Sequence, residues 1–193
     1  MHHLMHPRDH NDLAGWEAVL DRARAGSAEA FEQIYLTLSP VVAGYLRVSG
    51  VRDVDGLTNE VFLHALRGIR RFRGGWPGFR SWVFTIAHHR MVDDVRAAAR
   101  RPTLVPMDEV GDLGPTGDTE HDALGSLSDD RVRALLDGLS DDQRAVLLLR
   151  IVADLPLEQV ADAVDKSVGA VKALQHRALA SLRRALATED VDT

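Results

Sequence analysis

The sequence contains no cysteine. That absence excludes disulfides, thiolate catalysis, cysteine-ligated zinc and thiol redox sensing by the chain itself, and it agrees with a cytoplasmic location. No run of about 18 apolar residues exists, so no membrane insertion is expected. The opening segment, MHHLMHPRDH, has no apolar core of the kind a signal peptide needs. Its histidines, His2, His3, His6 and His10, could chelate a metal, but a frayed start is the simpler reading. Positive charge is also short overall, with a formal net charge of −6 that argues at first against a nucleic-acid partner.

The distribution of charge reverses that argument. Nine arginines and two acids, Asp93 and Asp94, lie between Arg67 and Arg101. Eight acids and no base follow between Pro102 and Asp130. Five bases and no acid then lie between Lys166 and Leu186. Two basic blocks either side of an acidic spacer can bind phosphate locally on an acidic chain, although any one such run alone is commonly a solvated face.

With 193 residues and 45% hydrophobic content, the chain can form one ordinary domain or two small ones. The pattern predicts an all-α fold. Leu13, Trp16, Leu20 and Ala23 recur at helical spacing, as do Phe31, Ile34, Tyr35 and Leu38, with Ser27 placed to cap the second set. Pro40 then stands near the start of a further stretch with Val41, Val42, Tyr45 and Leu46. Asp53 or Asp55 can cap a segment carrying Leu57, Val61, Leu63 and Leu66. A breaker cluster at residues 73–78 precedes a long helix from about Phe79 to Arg100. Residues 102–127 carry prolines, glycines and acids without an apolar period, and are expected to be a flexible acidic linker. The expected organisation is therefore a domain at 11–101, the linker at 102–127, and a second domain at 128–187.

In the second domain, Ser140-Asp141-Asp142-Gln143 reads as a capping box. Pro156 opens a short helix, Asp165-Lys166-Ser167 forms a turn, and a last helix buries Val171, Leu174, Ala178 and Leu182. A short helix, tight turn and basic second helix make a helix-turn-helix, whose second helix can enter a major groove. Lys172, Gln175, His176 and Arg177 fall away from the apolar stripe. Lys and Arg can donate to guanine or phosphate, and Gln can pair with adenine. An amphipathic hairpin with solvated cations is the plainer reading of the spacing alone.

The stretch Leu155-Pro156-Leu157-Glu158-Gln159-Val160-Ala161, with Ser167-Val168-Gly169-Ala170-Val171-Lys172 and His176-Arg177-Ala178, resembles region four of the extracytoplasmic-function (ECF) sigma factors, as these occur in actinobacteria. The resemblance implies upstream, −35 promoter reading by Lys172, Ala173, His176 and Arg177, and Gln175 joins them as a candidate from its place on the same face. Pro156 departs from the usual capping Ser or Thr, and Leu174 from a usual base. Two earlier stretches resemble region two of the same family: Asp53-Val54-Asp55-Gly56-Leu57-Thr58-Asn59-Glu60-Val61-Phe62-Leu63, and Phe79 to Arg90 continuing to Asp93 and Arg96. The first implies a grip on the β′ coiled coil of core RNA polymerase through Asp53, Asn59, Glu60 and Leu63, with Gly56 in place of a frequent acid.

The second implies capture of an extruded −10 base by a loop at about residues 71–79. Arg71, Arg73, Trp76, Phe79 and Arg80 are the candidates there, followed by His88, His89, Arg90, Asp93 and Arg96 along the helix. Unpaired bases need flat surfaces to stack on and cations for their backbone, and a glycine-rich loop can approach a base closely. Trp82 and Phe84 read as core, while Trp76 suits the core as well as it suits a base. His89 and Asp93 also share an i, i+4 face, but two ligands are too few for a metal site, and neither metal nor cofactor is expected.

The resemblance thus implies a non-enzymatic sigma factor that directs core polymerase to promoters and assists strand opening. The implied partners are the β′ coiled coil and β flap of the core, promoter DNA and an anti-sigma factor. Two other readings stand beside it. A stand-alone duplex-binding regulator calls for a phosphate-accepting or ligand-binding N-terminal domain, where the sequence has an arginine-rich helical one. A small helical enzyme calls for a convergent carboxylate or histidine set, which does not stand out.

Overall fold

A computed structural model describes residues 10–100 and 134–189. His2, His3, His6 and the 102–127 linker lie outside them, and His10 begins the first helix. The described residues are helices and connecting turns, with no strand among them. Helix α1 spans His10–Arg24, α2 Ala28–Val48, α3 Val54–Gly68 and α4 Trp76–Arg100. After a helical turn at 134–137 come α5, Asp141–Ile151, α6, Leu157–Ala163, and α7, Val168–Glu189.

Successive helices of the N-terminal module pack on one another, and α4 also crosses α1 and α2. Apolar stripes cause this arrangement. Ala30, Ile34, Leu38, Val42, Tyr45 and Leu46 of α2 are buried against Leu20, Val61, Phe84 and their neighbours. Ser27 caps α2 by accepting from the Ala30 amide at 3.2 Å, and the Asp53 carboxylate caps α3 by accepting from the Gly56 amide at 2.9 Å.

Two boundaries differ from the sequence expectation. Helix α2 runs straight through Pro40, where a new stretch was expected. Pro40 removes one amide from the ladder, but both it and Leu36, four residues earlier, face outward, where water can satisfy the released carbonyl. Helix α4 begins at Trp76, within the expected breaker cluster. Pro77 falls in its first turn, where a missing amide costs little.

In the C-terminal module, α5 and α6 both pack on α7. The capping box forms as expected: the Gln143 amide donates to Ser140 Oγ at 3.4 Å and the Ser140 amide to Gln143 Oε1 at 3.1 Å. Ser167 caps α7 through the Ala170 amide at 3.2 Å. The modules also touch. Helix α6 packs against α4, and Ser81 Oγ donates to Gln159 Oε1 across the junction.

Candidate nucleic-acid interface

The turn between α3 and α4 is built by its own chemistry. The Arg71 and Phe72 amides both donate to the Gly68 carbonyl, at 2.9 and 3.0 Å, which closes the end of α3. Gly74 then adopts φ +139°, which side chains strongly disfavour, and the chain turns into α4. Arg71 and Arg73 project outward from this loop, near exposed Arg67 and Arg70 at the end of α3. The result is a cationic edge suited to phosphate.

The aromatics point the other way. Trp76 is 3% exposed and Phe79 is fully buried. Trp76 stacks on Trp16 with ring centroids 4.5 Å apart and planes 14° from parallel. Phe72 stacks on Trp82 and meets Phe79 edge-on. Trp76 and Phe79, expected as contacts to bases, are therefore core residues here: their ring faces are covered by protein. Phe84 is fully buried and Trp82 half-buried, in keeping with the core expected of both.

Along α4, His89, Asp93 and Arg96 are exposed at i, i+4 and i+7 and share a face, while Arg90 is half-buried. His88 is a second correction. It is 8% exposed and hydrogen-bonded to the buried Tyr45 hydroxyl at 3.0 Å, out of reach of DNA. Burial pushes its pKa down to about 4, helped by adjacent His89 and opposed by Asp142. Burial likewise raises the Tyr45 phenol, with a smaller opposing effect from the Ser49 hydrogen bond. Arg80 is half-buried and faces the second module. Its pKa is lowered by burial, and Asp154 opposes that shift.

His89, Asp93 and Arg96 line one wall of a groove of about 840 Å³ whose other wall carries Asp141, Asp142 and Lys166. Lys166 pairs with Asp142 at 3.0 Å. Among the described residues, no three His, Asp or Glu side chains come together as metal ligands would.

Helix α7 presents Lys172, Ala173, His176 and Arg177 to solvent, with Gln175 half-buried beside them. Val171 and Ala178 are fully buried and Leu174 is 8% exposed, so the helix rests on one stripe and offers the opposite face. Leu174 belongs to the packing, which explains why this chain lacks a base there. Helix α3 similarly exposes Asn59 and Glu60, with Leu63 half exposed. Leu66 is also well exposed, giving an apolar strip flanked by polar groups. The Tyr35 hydroxyl donates to Asn59 Oδ1 at 3.3 Å, steadying that side chain. The Asp53 carboxylate lies within 2.2 Å of where a side chain on Gly56 would begin, so the cap occupies the space of the acid frequent in the family.

Sequence reasoning missed three residues of this region. Glu17 and Arg24 of α1 both bind the 71–76 segment, and Gln159 joins the modules. The only available signal for the first two was their seven-residue spacing along the flank of the buried α1 stripe.

An N-terminal helical module with a cationic loop, joined to a helix-turn-helix, is the architecture of sigma-70 promoter-specificity subunits. Residues 34–101 match the model for Sigma-70 region 2, and residues 135–184 match that for Sigma-70, region 4. The chain is 32% identical to ECF RNA polymerase sigma factor BldN of Streptomyces coelicolor over 93% of this chain and 69% of that protein. It is 33% identical to ECF RNA polymerase sigma factor SigD of Mycobacterium tuberculosis, covering 86% and 82%. For ECF RNA polymerase sigma factor ShbA of Streptomyces griseus the identity is 34%, covering 86% and 92%.

Among solved structures, CnrH in complex with the cytosolic domain of CnrY aligns with a TM-score of 0.66 at 24% identity, over 92% of this chain and 98% of that one. The sigma factor RpoE in complex with the anti-sigma factor NepR from Bartonella quintana aligns with a TM-score of 0.62 at 19% identity, over 82% and 98%. These two share the fold. The chain belongs to the ECF RNA polymerase sigma factors. It is a promoter-specificity factor for transcription initiation and not an enzyme.

Proposed function

We propose that the two modules, residues 11–101 and 128–187, divide promoter recognition between them. Helix α7 reads the −35 element through Lys172, Ala173, His176 and Arg177, with Gln175 at the edge. The 71–75 loop and the His89, Asp93, Arg96 face of α4 engage the −10 element and assist opening, with Arg71 and Arg73 holding backbone phosphate. The α3 strip of Asn59, Glu60, Leu63 and Leu66, begun by the Asp53 cap, docks on the β′ coiled coil, and the C-terminal module meets the β flap. The carrying observation is the exposed polar face of α7 opposite a stripe buried at Val171, Leu174 and Ala178. A transcription assay with purified core polymerase tests the reading. Promoter-specific transcripts that need both chain and core support it, and core-independent specific DNA binding refutes it.

Regulation by an anti-sigma factor belongs to the same reading, since the relative RpoE is seen bound to one. So does action in the cytoplasm, where polymerase works; no described helix is long and apolar enough to cross a membrane. The contact between modules adds a physical reason for dependence on core. Asp141 and Asp142 stand across the groove from His89 and Arg96, where they oppose an approaching phosphate.

A further inference from the structure

We infer that α1 is a brace for the −10 loop, and that Glu17 and Arg24 are positioning residues for promoter opening. The inference rests on the reading of the 71–75 loop as the base-capturing element. Both residues lie before the part of the chain matched to region 2, residues 34–101.

The geometry is specific. Residues 73–75 include two glycines, and a loop with so little side-chain packing has many conformations to lose on binding DNA. Two α1 side chains hold it, one at Gly74 and one at the Trp76 amide just beyond it. The Glu17 carboxylate accepts from the Trp76 amide at 2.8 Å, serving as the cap that α4 lacks from its own sequence neighbours. An anionic acceptor at a helix N-terminus also interacts favourably with the helix dipole. The carboxylate sits so close that a Cβ on Gly75 would lie 2.4 Å from Oε1. Arg24 donates to the Gly74 carbonyl, at the residue with φ +139°. Its guanidinium lies 5.5 Å from the centroid of the Phe72 ring, and Asp21 orients it at 2.9 Å.

Trp16, one residue before Glu17, stacks on Trp76 and sets the distance between α1 and the loop. Together these contacts hold the loop backbone in one shape while leaving Arg71 and Arg73 outside. A loop ordered before DNA arrives loses less entropy on capturing a base.

The test uses holoenzyme assembled from the full chain and core polymerase. Glu17→Ala removes the cap. Arg24→Met keeps an apolar stem against Phe72 and removes the donors, so it serves if Glu17→Ala folds poorly. Arg71→Ala/Arg73→Ala perturbs the loop itself. Three quantities are read: core binding, permanganate-detected opening on duplex promoter, and the ratio of opening on the preferred −10 base to opening on a substituted one. Both α1 variants are expected to bind core normally, to open duplex promoter about tenfold less, and to lose most of the −10 base ratio, with partial recovery in Arg24→Lys.

A merely structural role would lower output on both promoters together and leave the ratio unchanged. An unchanged ratio in the α1 variants, with opening reduced in the loop variant, overturns the brace and leaves the loop reading standing. Normal opening by the loop variant overturns the loop reading, and the brace with it.

Discussion

His88 gives the sharpest check on the reassignment of α4, because a DNA-contacting histidine and a core histidine titrate differently. In the folded protein burial holds its pKa near 4, against an ordinary value of 6.5. Between those values the unfolded chain binds a proton that the folded chain does not. Unfolding free energy therefore falls as pH falls through 6.5, and the loss levels off below about 4. A gap of about 2.5 pH units corresponds to about 3 kcal/mol, at about 1.36 kcal/mol per unit. That is a large part of the roughly 5–15 kcal/mol that stabilises a typical domain.

His88→Phe removes the titration and fits the apolar surroundings, at a cost of about 1–3 kcal/mol for the Tyr45 hydroxyl left without its imidazole partner. Urea unfolding of both proteins, from about pH 7.5 to about pH 4.5, separates the effects. Carboxylate titrations common to both proteins cancel in the difference. Wild type is expected to start as the more stable protein and to lose that advantage steadily on acidification. A stability difference independent of pH, or an imidazole resonance of His88 titrating near 6.5, would show that His88 is not a core residue.

Four further outcomes follow from the same geometry. Lys172→Ala and Arg177→Ala are expected to weaken promoter-specific transcription while core binding persists. A lost guanine contact costs about 1–3 kcal/mol, and a lost phosphate contact lowers the salt slope by about one; unchanged output in both would remove α7 from promoter reading. Trp76→Ala is expected to destabilise the N-terminal module by about 3–5 kcal/mol, because the ring is enclosed against Trp16; denaturation shows it, and a stable variant defective only in opening would restore the ring to DNA contact. Leu63→Asp is expected to weaken core binding by tenfold or more with no loss of melting temperature, since the side chain is half exposed; competition with wild type for core measures it. The free chain is expected to bind promoter duplex weakly near physiological salt and to gain specificity on core, as a titration with and without core at matched salt would show.

Local spacing in the sequence placed most helices, their side-chain caps and the two-module order, though not the run of α2 through Pro40 or the start of α4 at Trp76. Those features depend on local spacing: apolar residues at helical intervals, Ser140 three residues before Gln143, Ser167 three before Ala170. It also separated the solvent face of α7 from its buried stripe, because a single helix with one apolar side has one outcome. What it could not determine was which of two chemically suitable partners an aromatic or polar side chain takes. Trp76 suits a base as well as it suits Trp16, and His88 suits phosphate as well as the Tyr45 hydroxyl. Only the packing of α1 and α2 against α4 chose the protein partner in each case. The same is true of Glu17, Arg24 and Gln159, whose partners lie 59, 50 and 78 residues away. Helical periodicity shows which face of a helix is buried, but contacts over such separations depend on how whole helices stack.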